Sequence, residues 1–175
     1  MEATPEKTEF SEKTQKKIEE LLTHYPVKRS ALIPILSLAQ EEFGYISEGT
    51  MVRIAEILDL TPPQVYEVMT FYTMLERKPV GKFRLQVCRT LSCALAGAPG
   101  IVEHLKKRLG IGVGETTPDG LFTLQTVECL AACGTAPAVQ INGAYFENLT
   151  TEKVDRILED LKKGVRPVPK GIGEN

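Results

Sequence analysis

The sequence predicts an α/β protein: a helical bundle over residues 11–78, then an α/β domain over 79–164 with a four-stranded sheet. Three observations lead there. Apolar residues recur at helical spacing from Ile18 to Met69, and that period ends before Pro79-Val-Gly81. Beyond it, Phe83, Leu85 and Val87 alternate with Arg84, Gln86 and Cys88, the period-two mark of a half-buried strand. Thereafter helical and strand runs mix, and the element order reads β-α-β-β-β-α.

Residues 1–10 are charged and unpatterned, which predicts a flexible leader. Ser11 caps a helix striped by Ile18, Leu21 and Leu22, and Pro26 stops it after Tyr25. Residues 29–43 carry a broader face of Leu32, Ile35, Leu36, Ala39 and Phe43. Pro34 is tolerable there only near the first turn, and Gly44 ends the run. Ser47 caps the next helix, with Met51, Ile54, Ala55 and Leu58 on one side. Thr61-Pro-Pro-Gln64 is the sharpest start signal, combining a Thr cap, Pro at the first helical position and Gln three residues after the cap. Val65, Val68 and Met69 carry that helix into Phe71-Tyr-Thr-Met-Leu75.

In the second part, a helix is expected over about 93–109, with Ile101, Leu105 and Leu109 toward the sheet and Lys106-Lys-Arg108 toward water. Gly110 and Gly112 end it, and Thr117-Pro-Asp-Gly120 marks a turn before a strand at 121–127. Ala138-Val-Gln-Ile141 and Ala144-Tyr-Phe146 read as a hairpin across a type I′ Asn142-Gly143 turn. Thr150 or Thr151 caps a last helix with Val154, Ile157, Leu158 and Leu161 on one face, ending at Gly164. Residues 165–175 are expected to form an extended tail.

Composition narrows the function. The formal charge of −2, from 21 basic and 23 acidic residues, argues against a nucleic-acid binder that relies on bulk electrostatics. No apolar run approaches the ~20 residues that cross a bilayer, so direct membrane insertion is not expected. Met1-Glu-Ala-Thr-Pro-Glu-Lys has neither the basic nor the apolar region of a secretory signal. A reducing compartment is therefore expected, where cysteines more often bind metals than form structural disulfides.

The chain has four cysteines, in two close pairs: Cys88-Arg-Thr-Leu-Ser-Cys93 and Cys129-Leu-Ala-Ala-Cys133. Each pair follows a β-type run, so two loops at strand ends can bring four thiolates together. Four thiolates suit zinc or an iron–sulfur cluster. Structural zinc sites favour Cys-x2-Cys hairpins, a form that neither pair has. One pair per iron of a [2Fe–2S] cluster is the more sensible arrangement, although four small buried hydrophobes remain the bland alternative. Gly97, Gly134, Ala94, Ala96, Ala131, Ala132 and Ala136 are small enough for backbone N–H groups to approach inorganic sulfur. Cys93 is expected near a helix N-terminus, which favours anionic sulfur. Arg89 reads as solvated, and His24 and His104 lie too far along the chain from the pairs to be assigned as ligands.

Taken together, these motifs resemble the thioredoxin-like [2Fe–2S] ferredoxin subunit of respiratory complex I, the 24 kDa (E) subunit of NADH:quinone oxidoreductases. The resemblance spans about residues 13–162. It is carried by the two cysteine motifs, by Cys129-Leu-Ala-Ala-Cys-Gly-Thr-Ala-Pro-Ala138 running into Val139-Gln-Ile-Asn142, and by Ala39-Gln-Glu-Glu-Phe-Gly-Tyr-Ile46 and Val68-Met-Thr-Phe-Tyr-Thr-Met74. It implies a thioredoxin-like second domain in which Cys88, Cys93, Cys129 and Cys133 ligate one [2Fe–2S] cluster. It also implies a partner flavoprotein that holds FMN and binds NADH, within a larger respiratory complex. In a bacterium the location implied is the cytoplasmic face of the inner membrane, peripheral and held through the complex.

The sequence departs from the family at two places. Pro99-Gly100 falls where members usually continue the helix, which predicts a kink or restart near residue 99. Cys129-Leu-Ala-Ala-Cys133 has Ala where Gly is common before the last cysteine, which predicts a backbone angle that a Cβ accepts.

No base, nucleophile or nucleotide-binding glycine loop is evident, so the isolated chain is expected to have no catalytic activity of its own. Gly110-Ile-Gly-Val-Gly114 follows a helix and reads as its stop. The readings to separate are a complex I subunit, the same module in an NAD-linked hydrogenase or formate dehydrogenase, and a zinc-stabilised adaptor.

Overall fold

In a computed structural model describing residues 8–165, the chain divides between Pro79 and Val80 into two units. Most of the expected leader and tail therefore lies outside the described residues. The leader's last residue does not behave as one. Phe10 is 5% exposed and stacks on Phe43 at 5.2 Å between ring centroids, so it belongs to the bundle core.

Four helices build the first unit: α1 (Glu12–Thr23), α2 (Leu32–Phe43), α3 (Glu48–Leu58) and α4 (Pro62–Phe71). Their starts are set by local chemistry. The Thr14 N–H donates to Ser11 Oγ at 3.4 Å, and the Thr50 N–H to Ser47 Oγ at 3.1 Å. At α4 the Thr61 N–H donates to Gln64 Oε1 at 2.9 Å, and Pro62 occupies the first helical position. The helix expected from residue 29 begins instead at Leu32, after a short 3-10 turn over Lys28–Ala31. This leaves Pro34 in the first turn, where its missing N–H costs nothing. Ile35, Leu36, Ile54, Leu58, Val65 and Met69 fill the core.

Gln40 closes this unit. Its amide donates to the Met74 carbonyl at 2.9 Å, its Oε1 accepts the Glu76 N–H at 2.6 Å, and the Ile46 N–H donates to the Glu76 carbonyl at 2.8 Å. The two motif stretches of the helical part, 39–46 and 68–74, thus meet through one side chain.

The second unit contains β1 (Phe83–Cys88), α5 (Leu91–Leu95), α6 (Ala98–Leu109), β2 (Phe122–Val127), β3 (Val139–Ile141), β4 (Ala144–Phe146) and α7 (Thr151–Lys162). The sheet order is β2-β1-β3-β4. β1 and β2 are parallel, with Cys88 opposite Val127, while β3 pairs antiparallel with both β1 and β4. The β3–β4 hairpin turns through Asn142 at φ 48° and Gly143 at φ 88°, the two positive angles of a type I′ turn. Thr150 caps α7 by accepting the Lys153 N–H at 3.3 Å.

Phe83, Leu85, Val87, Phe122, Leu124, Val139 and Ile141 form one core with Ile101 and Leu105 of α6 and Val154, Leu158 and Leu161 of α7. Alternation in β1 predicts a polar, exposed second face, and here the structure differs. As an inner strand, β1 has neighbours on both sides, and Gln86 is 6% exposed. Its amide is satisfied across the ladder by Gln125 Oε1 at 3.1 Å.

The helix expected over about 93–109 is two helices. Gly97, at φ +100°, precedes α6, and Pro99 is the second residue of α6. The predicted restart occurs, with Pro99 in a first turn where it disturbs no hydrogen bond.

Candidate metal centre

Parallel pairing sends the chain out of β1 and β2 at the same end of the sheet, and both cysteine pairs lie there. Cys88 is the last residue of β1 and Cys93 the third of α5; each is 2% exposed. Cys129 lies two residues beyond β2, and Cys133 opens a 3-10 turn over Cys133–Thr135; both are exposed. All four are free thiols.

The Cys88 and Cys93 thiols shift each other's titration in opposite directions, and Cys133 acts electrostatically on Cys93. The structure thus brings three of the four cysteines into mutual influence. Among the described residues, no three His, Cys, Asp or Glu side chains are closed into a metal-ready group.

The sulfurs sit among hydrogen-bond donors. Burial pushes the Cys88 thiol up, but hydrogen bonds from the Thr90 hydroxyl and from the Leu130 and Thr90 backbone outweigh it. The net shift is downward, toward thiolate. Thr90 Oγ1 lies 3.3 Å from Cys88 Sγ. Burial holds the Cys93 thiol above its ordinary value against a backbone hydrogen bond from Ala138, and the Cys88 and Cys133 thiols reinforce the rise. The Ala131 N–H donates to Cys129 Sγ at 3.3 Å.

The expected backbone angle before the last cysteine is found, but its neighbour is strained. Ala132, immediately before Cys133, has φ −104°, which a Cβ accepts, but Ala131 lies in the left-handed region at φ 58°. There Cβ crowds the following carbonyl. At Gly134 an added Cβ would meet nothing within 4 Å, so that side of the Cys133 backbone is open. Gly97 is required for its backbone angle rather than for close approach.

Arg89, expected to be solvated, donates from Nε to Glu128 Oε1 at 2.9 Å while both side chains remain largely exposed. The sequence reading missed Thr90 and Glu128. For Glu128 a signal exists, because it precedes Cys129 as Arg89 follows Cys88. His104 Nε2 lies 3.0 Å from Asp155 Oδ1, beside Arg108 and away from the cysteines, and His24 is the exposed end of α1 in the first unit.

Residues 18–162 match the thioredoxin-like [2Fe–2S] ferredoxin family. The chain belongs to that family. Among its curated relatives is an NADH-quinone oxidoreductase subunit of Rhizobium meliloti, 43% identical over 152 residues, 87% of this chain and 90% of the relative. NADH-quinone oxidoreductase subunit 2 of Thermus thermophilus is 42% identical over 160 residues, 90% of this chain and 88% of the relative. Among solved structures, an NAD+-reducing [NiFe]-hydrogenase superposes with a TM-score of 0.69 over 78% of this chain and 23% of its own, at 19% identity. That likeness concerns the fold alone.

The residues present fit the family's cofactor. A thioredoxin-like [2Fe–2S] ferredoxin needs soft anionic donors, backbone N–H groups aimed at sulfur and little steric bulk. This end of the sheet offers free thiols, N–H donors at Leu130 and Ala131, and open backbone at Gly134. Among the described residues, no helix is long and apolar enough to cross a membrane.

Proposed function

We propose that the chain is the electron-transfer subunit of an NADH:quinone oxidoreductase, holding one [2Fe–2S] cluster through Cys88, Cys93, Cys129 and Cys133. Its redox partner is a flavoprotein subunit that carries FMN and binds NADH, so this chain exchanges electrons without binding NADH. The assembly is a peripheral one, on the cytoplasmic face of the membrane in a bacterium.

The observation that carries this reading is the placement of two cysteine pairs at the in-register ends of β1 and β2, with hydrogen-bond donors aimed at their sulfurs. When bound, the cluster supplies one-electron storage between two iron valence states. The chain's own residues do the rest. Thr90 and the Leu130 N–H stabilise negative charge on Cys88, and the Ala131 N–H does so on Cys129. Burial of Cys88 and Cys93 keeps water from one side, whereas Cys129 and Cys133 face solvent, where a partner has access. Quinone-linked relatives at 42–43% identity favour this assignment over an NAD-linked hydrogenase, whose likeness at 19% bears on fold only.

The test is anaerobic purification of the full chain. The expected product is red-brown, with about two irons and two labile sulfides per chain and an EPR signal on reduction. Cys88→Ser and Cys133→Ser should each lose most of that iron. A colourless chain carrying one zinc refutes the cluster, and copurification with a soluble hydrogenase instead of quinone-linked subunits refutes the assembly.

A further inference from the structure

The ladder between β1 and β2 continues one step past the strands. The Arg89 N–H donates to the Val127 carbonyl at 3.0 Å, and this sets the Arg89 side chain beside Glu128. Arg89 Nε donates to Glu128 Oε1 at 2.9 Å, and Nη2 contacts the same oxygen. Arg89 is bonded directly to Cys88 and Glu128 directly to Cys129. One ion pair therefore joins the two cysteine loops, each end one residue from a cysteine.

As a source of fold stability the pair is weak, because its side chains are 63% and 67% exposed and exposed pairs contribute little. Its location gives it a different consequence. A thiolate-ligated cluster is anionic and gains another negative charge on reduction, so its potential depends on nearby charge. A bare carboxylate beside Cys129 disfavours the added electron, and a bare guanidinium beside Cys88 favours it.

We propose that Arg89 and Glu128 form a neutral clasp, which holds the two cysteine loops together and cancels the effect of each charge on the group bound between them. This rests on the reading that the loops hold a [2Fe–2S] cluster. Both residues are positioning residues, since neither offers a soft donor to iron.

The test uses the full, cluster-loaded chain and its variants Arg89→Gln, Glu128→Gln, the double glutamine variant and the charge swap Arg89→Glu/Glu128→Arg. Midpoint potentials are read by EPR-monitored redox titration at fixed ionic strength, and cluster retention by the rate of iron release to a chelator. R89Q should lower the potential, E128Q should raise it, and the double glutamine variant should return near the wild-type value. Both single variants should release iron several-fold faster, and the charge swap should restore slow release. Potentials that shift with the same sign or stay unchanged, or release rates unaffected in both single variants, overturn the clasp. Wild-type chain that purifies with zinc and no iron overturns the underlying reading, a result visible before any variant is made.

Discussion

Ala131→Gly should stabilise the protein, an unusual direction for a change that adds backbone freedom. Ala131 sits at φ 58°, and an L-residue in the left-handed region costs roughly 1–2 kcal/mol. Glycine removes that strain but loosens the unfolded chain, which costs about 0.4–1 kcal/mol. The net gain is therefore between zero and about 1.6 kcal/mol. Ala132→Gly is the control. At φ −104° there is no strain to relieve, so only the entropic cost of about 0.4–1 kcal/mol remains. The difference between the variants cancels the entropy and isolates the strain, at about 1–2 kcal/mol. Urea unfolding of the full, cluster-free chain measures it, followed by far-UV circular dichroism because the chain has no tryptophan. The midpoints should separate at unchanged slope. If the two variants are equally destabilised, the loop carries no left-handed strain and the argument fails. The Ala131 N–H that reaches Cys129 Sγ exists in both Ala and Gly, so this contact does not confound the comparison.

Three other outcomes follow from the second unit. Gly81→Ala would place a Cβ 2.7 Å from the Phe122 carbonyl carbon, and overpacking against backbone should cost about 1–3 kcal/mol in urea unfolding; a neutral result would mean that β1 and β2 can part there. Gly97→Ala meets no atom within 4 Å yet forces a Cβ to φ +100°, so it should cost roughly 1–2 kcal/mol, whereas Pro99→Ala in the first turn of α6 should be nearly silent; equal effects would refute the restart. Asp155 is held below the ordinary carboxylate range, first by Arg108, whose Nε lies 2.8 Å away, and then by His104. A depressed folded pKa stabilises above the unfolded value, and the contribution is lost as pH falls through the folded value. The melting-temperature gap between wild type and Asp155→Asn should therefore be constant near neutrality and narrow in strong acid. A gap that holds its size in acid would exclude the linkage.

What the sequence disclosed was chemistry that acts within a few residues. Ser11, Ser47 and Thr150 cap the helices they precede, Asn142-Gly143 turns the hairpin, and Pro99 marks the restart. These need no tertiary information, since donor and acceptor lie within one turn. The misses share the opposite property. Phe10 looked like leader because its partner, Phe43, is distant in sequence. Gln86 looked exposed because period-two alternation does not say whether a strand is inner or outer. Glu128 became a partner for Arg89 only through the β1–β2 register, and the Ala131 angle contradicts its residue's own preference. At the cysteines, residue types and spacing were readable, but the unequal burial of the two pairs was not.

That inequality follows from the sheet. β1 lies between β2 and β3, so a residue leaving its end is covered on both sides: the Cys88 N–H donates to the Ala138 carbonyl at 3.1 Å, and the Arg89 N–H to the Val127 carbonyl. β2 is an edge strand whose outer side is bridged by residues 114–117 only along its first half, and its loop carries Cys129 and Cys133 into solvent. Strand order thus buries Cys88, α5 carries Cys93 into the same core, and the other pair stays open. The buried pair has little freedom to change position, because Cys88 is fixed by its ladder and Cys93 by α5. The exposed pair depends on its own loop, where a left-handed Ala131 turns an N–H toward Cys129 sulfur. Desolvation acts on the buried pair, but the second loop donates to a sulfur of each pair, from Leu130 to Cys88 and from Ala131 to Cys129, so a change in that loop reaches both pairs.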